Sequence, residues 1–460
     1  MKKIVFKISL VLVAFALSPR IIAQPIPGTL NWYNGAGTGM LTDKAYSLLK
    51  KKTSQPVIVA VIDSGVDIEH EDLQGKIWVN TKEIPKNGID DDKNGYIDDV
   101  HGWNFLGNAN GKNQEGARLE KTRILAKLRE KYEGIDPASI TADEEFNLYQ
   151  QVLSEVEEEL ANFEQYVDMI KAGQMDAESK QYIEDQLYIN LNVDYDDRSL
   201  IGDDVDDFND KNYGNSDVEG ADALHGTHVS GIICALRGNG KGGDGVADNV
   251  KIMSLRAVPN GDEQDKDIAL AIRYAVDNGA QVINMSFGKA YSTHQEEVFA
   301  AFQYADEHGV LCVHAAGNDA KDVDYEPNYP TSMYSFQEAP LDHFITIGAS
   351  TKDKENLVAS FSNFGQTRVD IFAPGFEIYN TVPQSEYKNL QGTSMAAPMV
   401  TGVAAMLKSY FPSLTMSQIK EVMFASSVKY DDLKPLCTTG GVVNVYNAVK
   451  ACMALEKGKK

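Results

Sequence analysis

Apolar positions along this chain follow two rhythms. The first is continuous: Val57 to Ile62 is an unbroken apolar run rich in valine and isoleucine, closed by Asp63, Ser64 and Gly65. Such a run suits a strand buried on both faces of a parallel sheet. Comparable runs predict strands near 251–256, 281–285, 310–314, 344–349 and 369–372. Between them, helical spacing predicts helices from His225, near 264–278 and near 295–308. Strands and helices in alternation predict an α/β fold with a doubly wound, mostly parallel sheet.

The second rhythm advances in steps of three and four. Phe146, Tyr149, Leu153, Val156, Leu160, Phe163, Val167 and Ile170 follow it, and Thr141 with Glu144 offers a capping box ahead of them. This predicts a helix ending near Gly173, packing its apolar seam on a partner helix. Segments 119–132 and 177–191 are also helix-like. Together they define an acidic helical insertion over 111–220, where 28 Asp and Glu face 11 Lys and Arg. The stripe contains no cluster of metal ligands, so it reads as packing surface rather than a cofactor box.

The order of elements gives the expected domains. Residues 1–23, with Lys2, Lys3 and Lys7 before an apolar run from Ile8 to Leu17, read as a signal peptide cleaved after Ala23. That run is too short to span a bilayer, so export with no lasting membrane anchor is expected, to the periplasm, cell surface or medium. Residues 24–56 form a short N-terminal segment, too small for a folding pro-domain. The α/β domain over 57–452 follows, interrupted by the insertion, and 453–460 are a tail.

Charge narrows the choice of partner. The 460 residues carry 67 Asp and Glu against 43 Lys and Arg, a formal charge of −24, and loss of residues 1–23 makes it more negative. A polyanion of this size is repelled by nucleic acid. Four cysteines make no disulfide framework; Cys234 and Cys312 read as core residues, and Cys437 and Cys452 could pair if the fold brings them together.

One acidic stretch reads as a candidate calcium loop. Asp90, Asp92 and Asn94 alternate, Gly95 follows, Tyr96 offers a carbonyl, and Asp98 and Asp99 add carboxylates. This resembles the first half of an oxygen-ligand loop without the closing glutamate. The acidic run Asp203, Asp204, Asp206, Asp207 and Asp210 reads as a solvated loop instead.

Four segments carry the candidate chemistry. Asp63 ends a buried strand, at the edge where open α/β sheets place their sites. His225, Gly226, Thr227 and His228 begin a helix. Ala315, Ala316, Gly317 and Asn318 follow a strand and end in an amide donor. Gly392, Thr393, Ser394, Met395, Ala396, Ala397 and Pro398 deliver a serine to a helix start. Alone, each has a structural explanation, because aspartate, serine and asparagine also cap turns and helices.

In the order Asp, His, Asn, Ser, these segments resemble the subtilisin-like (subtilase) serine proteases. The resemblance covers about Val57 to Cys452, apart from the insertion. It implies a subtilisin-like fold with Asp63, His225 and Ser394 as the triad, His228 being the second candidate for the base. It further implies Asn318 in the oxyanion hole and Ser286, Phe287 and Gly288 as the strand that pairs with substrate, with Ala315, Ala316 and Gly317 walling the pocket beside it. No cofactor is needed for that chemistry, calcium would be structural, and the substrates would be proteins or peptides.

Two departures stand out: Asp63 and His225 lie 162 positions apart, and Met399 follows Pro398 where the family commonly has a histidine. The floor of the first substrate pocket is expected in 319–330, near Asp319, Asp322 and Asp324. The competing readings are a catalytically silent scaffold holding calcium or a partner protein at the insertion, and an esterase. The esterase would call for a Gly-x-Ser-x-Gly elbow, and Ser394 lies between Thr393 and Met395.

Overall fold

A computed structural model describes residues 30–140, 143–211 and 213–458. The candidate signal peptide and Thr141 of the expected capping box lie outside them. Nine strands form one sheet. In chain order they are β1 (Val57–Asp63), β2 (Gly102–Asn104), β3 (Val250–Arg256), β4 (Val282–Met285), β5 (Leu311–Ala315), β6 (Phe344–Ser350), β7 (Ile371–Pro374), β10 (Val428–Lys429) and β11 (Gly441–Val442). The hairpin β8 (Ile378–Val382) and β9 (Glu386–Leu390) stands apart.

Across the sheet the order is β10-β11-β7-β6-β5-β4-β1-β3-β2, every pairing parallel except β10 with β11. The chain leaves β1 for β3 on one side, then crosses back to β4 on the other. The C-terminal end of β1 is therefore a topological switch point, where flanking connections diverge and leave a crevice.

Alternation along β1 divides the core. Val57, Val59 and Val61 pack on one face, against the buried helix α8 (Thr393–Tyr410). Ala60 and Ile62 pack on the other, against α6 (Asp265–Asp277) and α7 (Gln295–Glu307). With both faces covered, the strand needs apolar residues throughout, which is why its sequence does not alternate.

The N-terminal segment is part of the main core. Helix α1 (Thr42–Leu49) and the turn before it bury Tyr33, Met40, Ala45 and Leu49 against the α8 side of the sheet. Asn34 donates to the Asp244 carbonyl at 2.8 Å, and the Val445 N–H donates to the Met40 carbonyl at 2.9 Å.

The insertion has its own core. Helices α2 (Glu120–Tyr132) and α3 (Glu144–Glu164) bury Ile124, Leu125 and Leu128 against Phe146, Tyr149, Val152 and Val156. Two expectations are corrected here. Asp143 is the N-cap, accepting from the Phe146 N–H at 3.1 Å. The helix stops at Glu164, with Val167–Lys171 a separate short helix. The seam buries Val152 more fully than Leu153, and it fades after Val156 because the 13-residue α2 runs out before the 21-residue α3 does. Helix α4 (Ala177–Asp185) and a turn of π-helix (Gln186–Asn190) return the chain.

Buried ion pairs join the insertion to the sheet. Lys289, beyond β4, holds Glu120 of α2 at 2.8 Å and Asp265 of the sheet-covering helices at 2.9 Å, while Arg118 holds Asp197 at 3.0 Å within the insertion. Gly116 bridges to Asn260 beyond the end of β3. All four cysteines are buried and free, so Cys437 and Cys452 do not pair.

Candidate active site

At the switch point, Asp63 is buried to 2% exposure and its Oδ1 accepts from the Ser64 N–H at 2.8 Å. The same oxygen faces His225 Nδ1 at 2.7 Å. His225 lies in the first turn of α5 (Leu224–Cys234). This helix reaches the Asp63 turn because residue 226 is glycine: a Cβ there would stand 2.1 Å from the Gly65 carbonyl oxygen. Burial alone would lower the His225 pKa, but the Asp63 carboxylate and its hydrogen bond outweigh that and carry it above the ordinary 6.5. A histidine raised in this way is neutral, and able to accept a proton, only at higher pH than a free one. Serving as a base, it would set the acid limb of kcat/KM above 6.5, which a pH-rate profile measures.

His228, one turn on, has a different environment. Fully buried, it turns Nε2 to the carbonyls of Ile378 at 3.0 Å and Lys388 at 3.1 Å, tying α5 to the β8–β9 hairpin. Burial pushes its pKa down to about 3. It is a neutral structural histidine facing away from Asp63.

Ser394 sits in the first turn of α8, where backbone N–H groups have no intrahelical acceptor. Its hydroxyl donates to the Ser286 carbonyl at 3.1 Å, not to His225. Hydrogen bonds used in catalysis are often formed only once a substrate is bound. Ser286 returns the contact, its Oγ donating to the Ser394 carbonyl at 2.9 Å.

Asn284, which the sequence reading passed over, completes this brace. It accepts from Thr401 Oγ1 at 2.8 Å and donates to Ser286 Oγ at 3.0 Å, linking β4 to the middle of α8. A polar residue in an otherwise apolar strand was the signal available for finding it.

Asn318 is oriented by its oxygen. Oδ1 accepts from the Thr393 N–H at 2.8 Å and from Thr393 Oγ1 at 3.0 Å, which leaves the donor end of the amide facing outward beside Gly392 and Ser394. Thr393 Oγ1 in turn accepts from the Gly317 N–H at 3.1 Å. The β5 end and the α8 start are thus one hydrogen-bonded unit.

The segments expected to wall the first pocket, Ser286 to Gly288 and Ala315 to Gly317, lie at the ends of the neighbouring strands β4 and β5, and the stretch 319–330 expected to floor it contains Asn328. Asn328 sits between them: its Nδ2 approaches the Ala315 and Ala316 carbonyls at 3.4 and 3.3 Å, and a Cβ on Gly288 would meet its amide at 2.5 Å. Asp322 and Asp324 are spent on turns, Asp324 accepting from the Thr367 and Arg368 N–H groups, and Asp319 is exposed. His314, neutral because burial lowers its pKa to about 4, holds the Phe287 carbonyl at 2.8 Å.

The candidate calcium loop is partly rearranged. Carboxylate oxygens of Glu83, Asp90 and Asp92 lie within 4.8 Å of one another. Glu83, seven residues ahead of the loop, supplies a carboxylate the sequence reading missed. Asp98 turns away to cap the Asn87 and Gly88 N–H groups, and Asp99 is committed to Asn80, Asn94 and Tyr274. The Tyr96 ring packs on Trp103 and Tyr274, and Asn94 accepts from the Tyr96 N–H. Glu83 also accepts from the Asp91, Asp92 and Asp98 N–H groups and Asp90 from those of Asn94 and Gly95, so the three carboxylates converge as hard oxygen donors for a calcium ion would while still serving the turns of the loop.

A carboxylate-paired imidazole, a serine at a helix start and an outward amide, gathered at one sheet edge, are suited to nucleophilic acyl transfer. Comparison with known proteins gives the lineage. Residues 54–444 match the model of the subtilase family, and the chain belongs to that family.

Among its relatives, the thermophilic serine proteinase of Bacillus sp. (strain AK1) is 39% identical over 224 residues, 48% of this chain and 51% of the relative. Thermitase of Thermoactinomyces vulgaris is 36% identical over 227 residues, 49% and 75% of the two chains. Subtilisin-like protease 1 of Plasmodium vivax is 26% identical over 422 residues, 88% and 49%. The chain spans about half the length of the first curated relatives it matches.

Proposed function

We propose that this chain is an exported serine endopeptidase in which Ser394 attacks a peptide carbonyl. His225 takes the Ser394 proton, and Asp63 holds the imidazole tautomer and steadies the imidazolium. The tetrahedral oxyanion is met by the Asn318 amide and the Ser394 N–H. The acyl-enzyme then yields to water, with His225 returning and collecting protons in turn. The observation that carries this reading is the 2.7 Å Asp63–His225 contact at the switch point, facing the segment that holds Ser394.

Substrate is proposed to enter as a strand. The order β4-β1-β3 across the sheet, with the chain turning out of it after Asp63, leaves the segments beyond β3 and β4 flanking a gap, where an extended peptide can pair with Ser286 to Gly288. Family membership and the relatives named as proteinases and proteases support peptide bonds as the target. Export rests on the Lys2-to-Leu17 pattern; among the described residues no helix is long and apolar enough to cross a membrane.

A fluorophosphonate probe tests the reading. The wild-type chain should be labelled at Ser394, and failure to label at neutral pH with calcium supplied would remove the protease assignment. Calcium is proposed to be structural, held by Glu83, Asp90 and Asp92. Added calcium is expected to raise the melting temperature and a chelator to lower it, while Asp90→Asn with Asp92→Asn abolishes the difference. Calorimetry with and without chelator measures this.

A further inference from the structure

The catalytic edge opens into a groove of about 630 Å³. One side belongs to the sheet: Ser286, Phe287 and Gly288 beyond β4, facing Asn260 and Gly261 beyond β3. The opposite side comes from the insertion. Gln181 and Asp185 of α4 and Ile189 of the following turn line the same groove as His225. The contact is built, since Asn260 Nδ2 donates to Asp185 Oδ2 at 2.8 Å and Asn190 Nδ2 donates to the Asn260 carbonyl at 3.0 Å.

Charge in this groove is unevenly matched. Arg256, which also lines it, is engaged by Glu115 at 2.6 Å and by the Ser64 carbonyl. Asp185 is held only by neutral amides, those of Asn260 and Gln181. Glu263 is 2% exposed and lines the groove, and its Oε1 has no hydrogen-bond partner. The nearby cations are committed elsewhere: Lys289 Nζ binds Glu120, Asp265 and the Glu263 backbone carbonyl, and Arg123 binds Glu120. A buried carboxyl left unpartnered is costly unless a ligand completes it. Burial pushes this one up to about 8, and a cation entering the groove is what would favour its ionised form.

We propose that the helical insertion is the second wall of the substrate groove, and that the groove selects peptides with a lysine or arginine among the residues preceding the cut bond, the cation being received by Glu263 and Asp185. The inference rests on the endopeptidase reading. It gives the acidic insertion a role in choosing substrate, and it gives the unpartnered Glu263 carboxyl a partner supplied from outside.

The test compares peptides that differ only by Lys, Ala or Glu at the second, third or fourth residue before the cut, with fluorophosphonate titration counting the competent sites. For the wild type, kcat/KM per titrated site should favour Lys over Ala by about tenfold or more at one of these positions. Glu263→Gln and Asp185→Asn should each reduce that ratio. Asp185→Lys, at a half-buried position that folding tolerates more readily than a change at Glu263, should invert it in favour of Glu.

A wild-type chain that titrates fully and shows no preference for Lys overturns this inference and leaves the endopeptidase reading standing. So does an Asp185→Lys variant that titrates fully and keeps the wild-type preference. A wild-type chain that does not titrate overturns the endopeptidase reading, and this inference falls with it.

Discussion

Ser394→Ala should reduce kcat by about 10⁶-fold and abolish fluorophosphonate labelling, leaving only the activity that binding and the oxyanion site provide without a nucleophile. That magnitude comes from subtilisin, a member of the same family, and is carried over on the assignment of Ser394. The variant should fold normally. Among the described residues the Ser394 hydroxyl hydrogen-bonds the Ser286 carbonyl alone, while the Asn284–Thr401 brace and the Asn318–Thr393 tie do not involve it. An unchanged melting temperature alongside lost turnover separates a missing nucleophile from a collapsed site. Turnover retained within tenfold would remove Ser394 from the mechanism.

Asp63→Asn should cost about 10⁴-fold in kcat/KM. The side chain is nearly isosteric, and an amide oxygen can keep the contacts that Oδ1 makes with His225 and Ser64. What is lost is charge. Because the Asp63 carboxylate is what lifts His225 above 6.5 against the effect of burial, its removal must move the acid limb of the pH-rate profile to lower pH. The paired readout matters: a structural aspartate would lower activity without moving the limb. The profiles of both proteins, compared where each is folded, decide between the two.

Much of the sheet is legible in the sequence because burial on both faces leaves a continuous apolar run. Val57 to Ile62 and the runs that became β3 to β6 could hardly be anything else. Chemistry carried by short segments is legible for a similar reason: a helix start after Gly392 and a strand end at Asp63 are local facts.

What the sequence hid depends on distant pieces meeting. Glu83 joins Asp90 and Asp92 only because the loop folds back on it. Asn328 reaches the Ala315 and Ala316 carbonyls from beyond the turn that consumes Asp322 and Asp324. The short segment 24–56, too small to read as a pro-domain, completes the core beside α8 with Tyr33, Met40, Ala45 and Leu49. The seam of α3 moved from Leu153 toward Val152 because which side of a helix is buried depends on its partner's length and placement. That α4 would stand over the groove could not be read at all, since it rests on contacts such as Asp185 with Asn260, 75 positions away.

On the endopeptidase reading, the turn of the chain out of the sheet after Asp63 limits what can be cut. With neighbouring strands about 4.8 Å apart, omitting the middle one leaves a slot roughly twice that width, enough for a single extended chain and too narrow for a helix about 10 Å across. A folded target must therefore release several consecutive residues before any bond reaches Ser394. Its rate of destruction would then be set by how often a stretch of that target comes loose, and the protein would act as a reader of local instability in its neighbours.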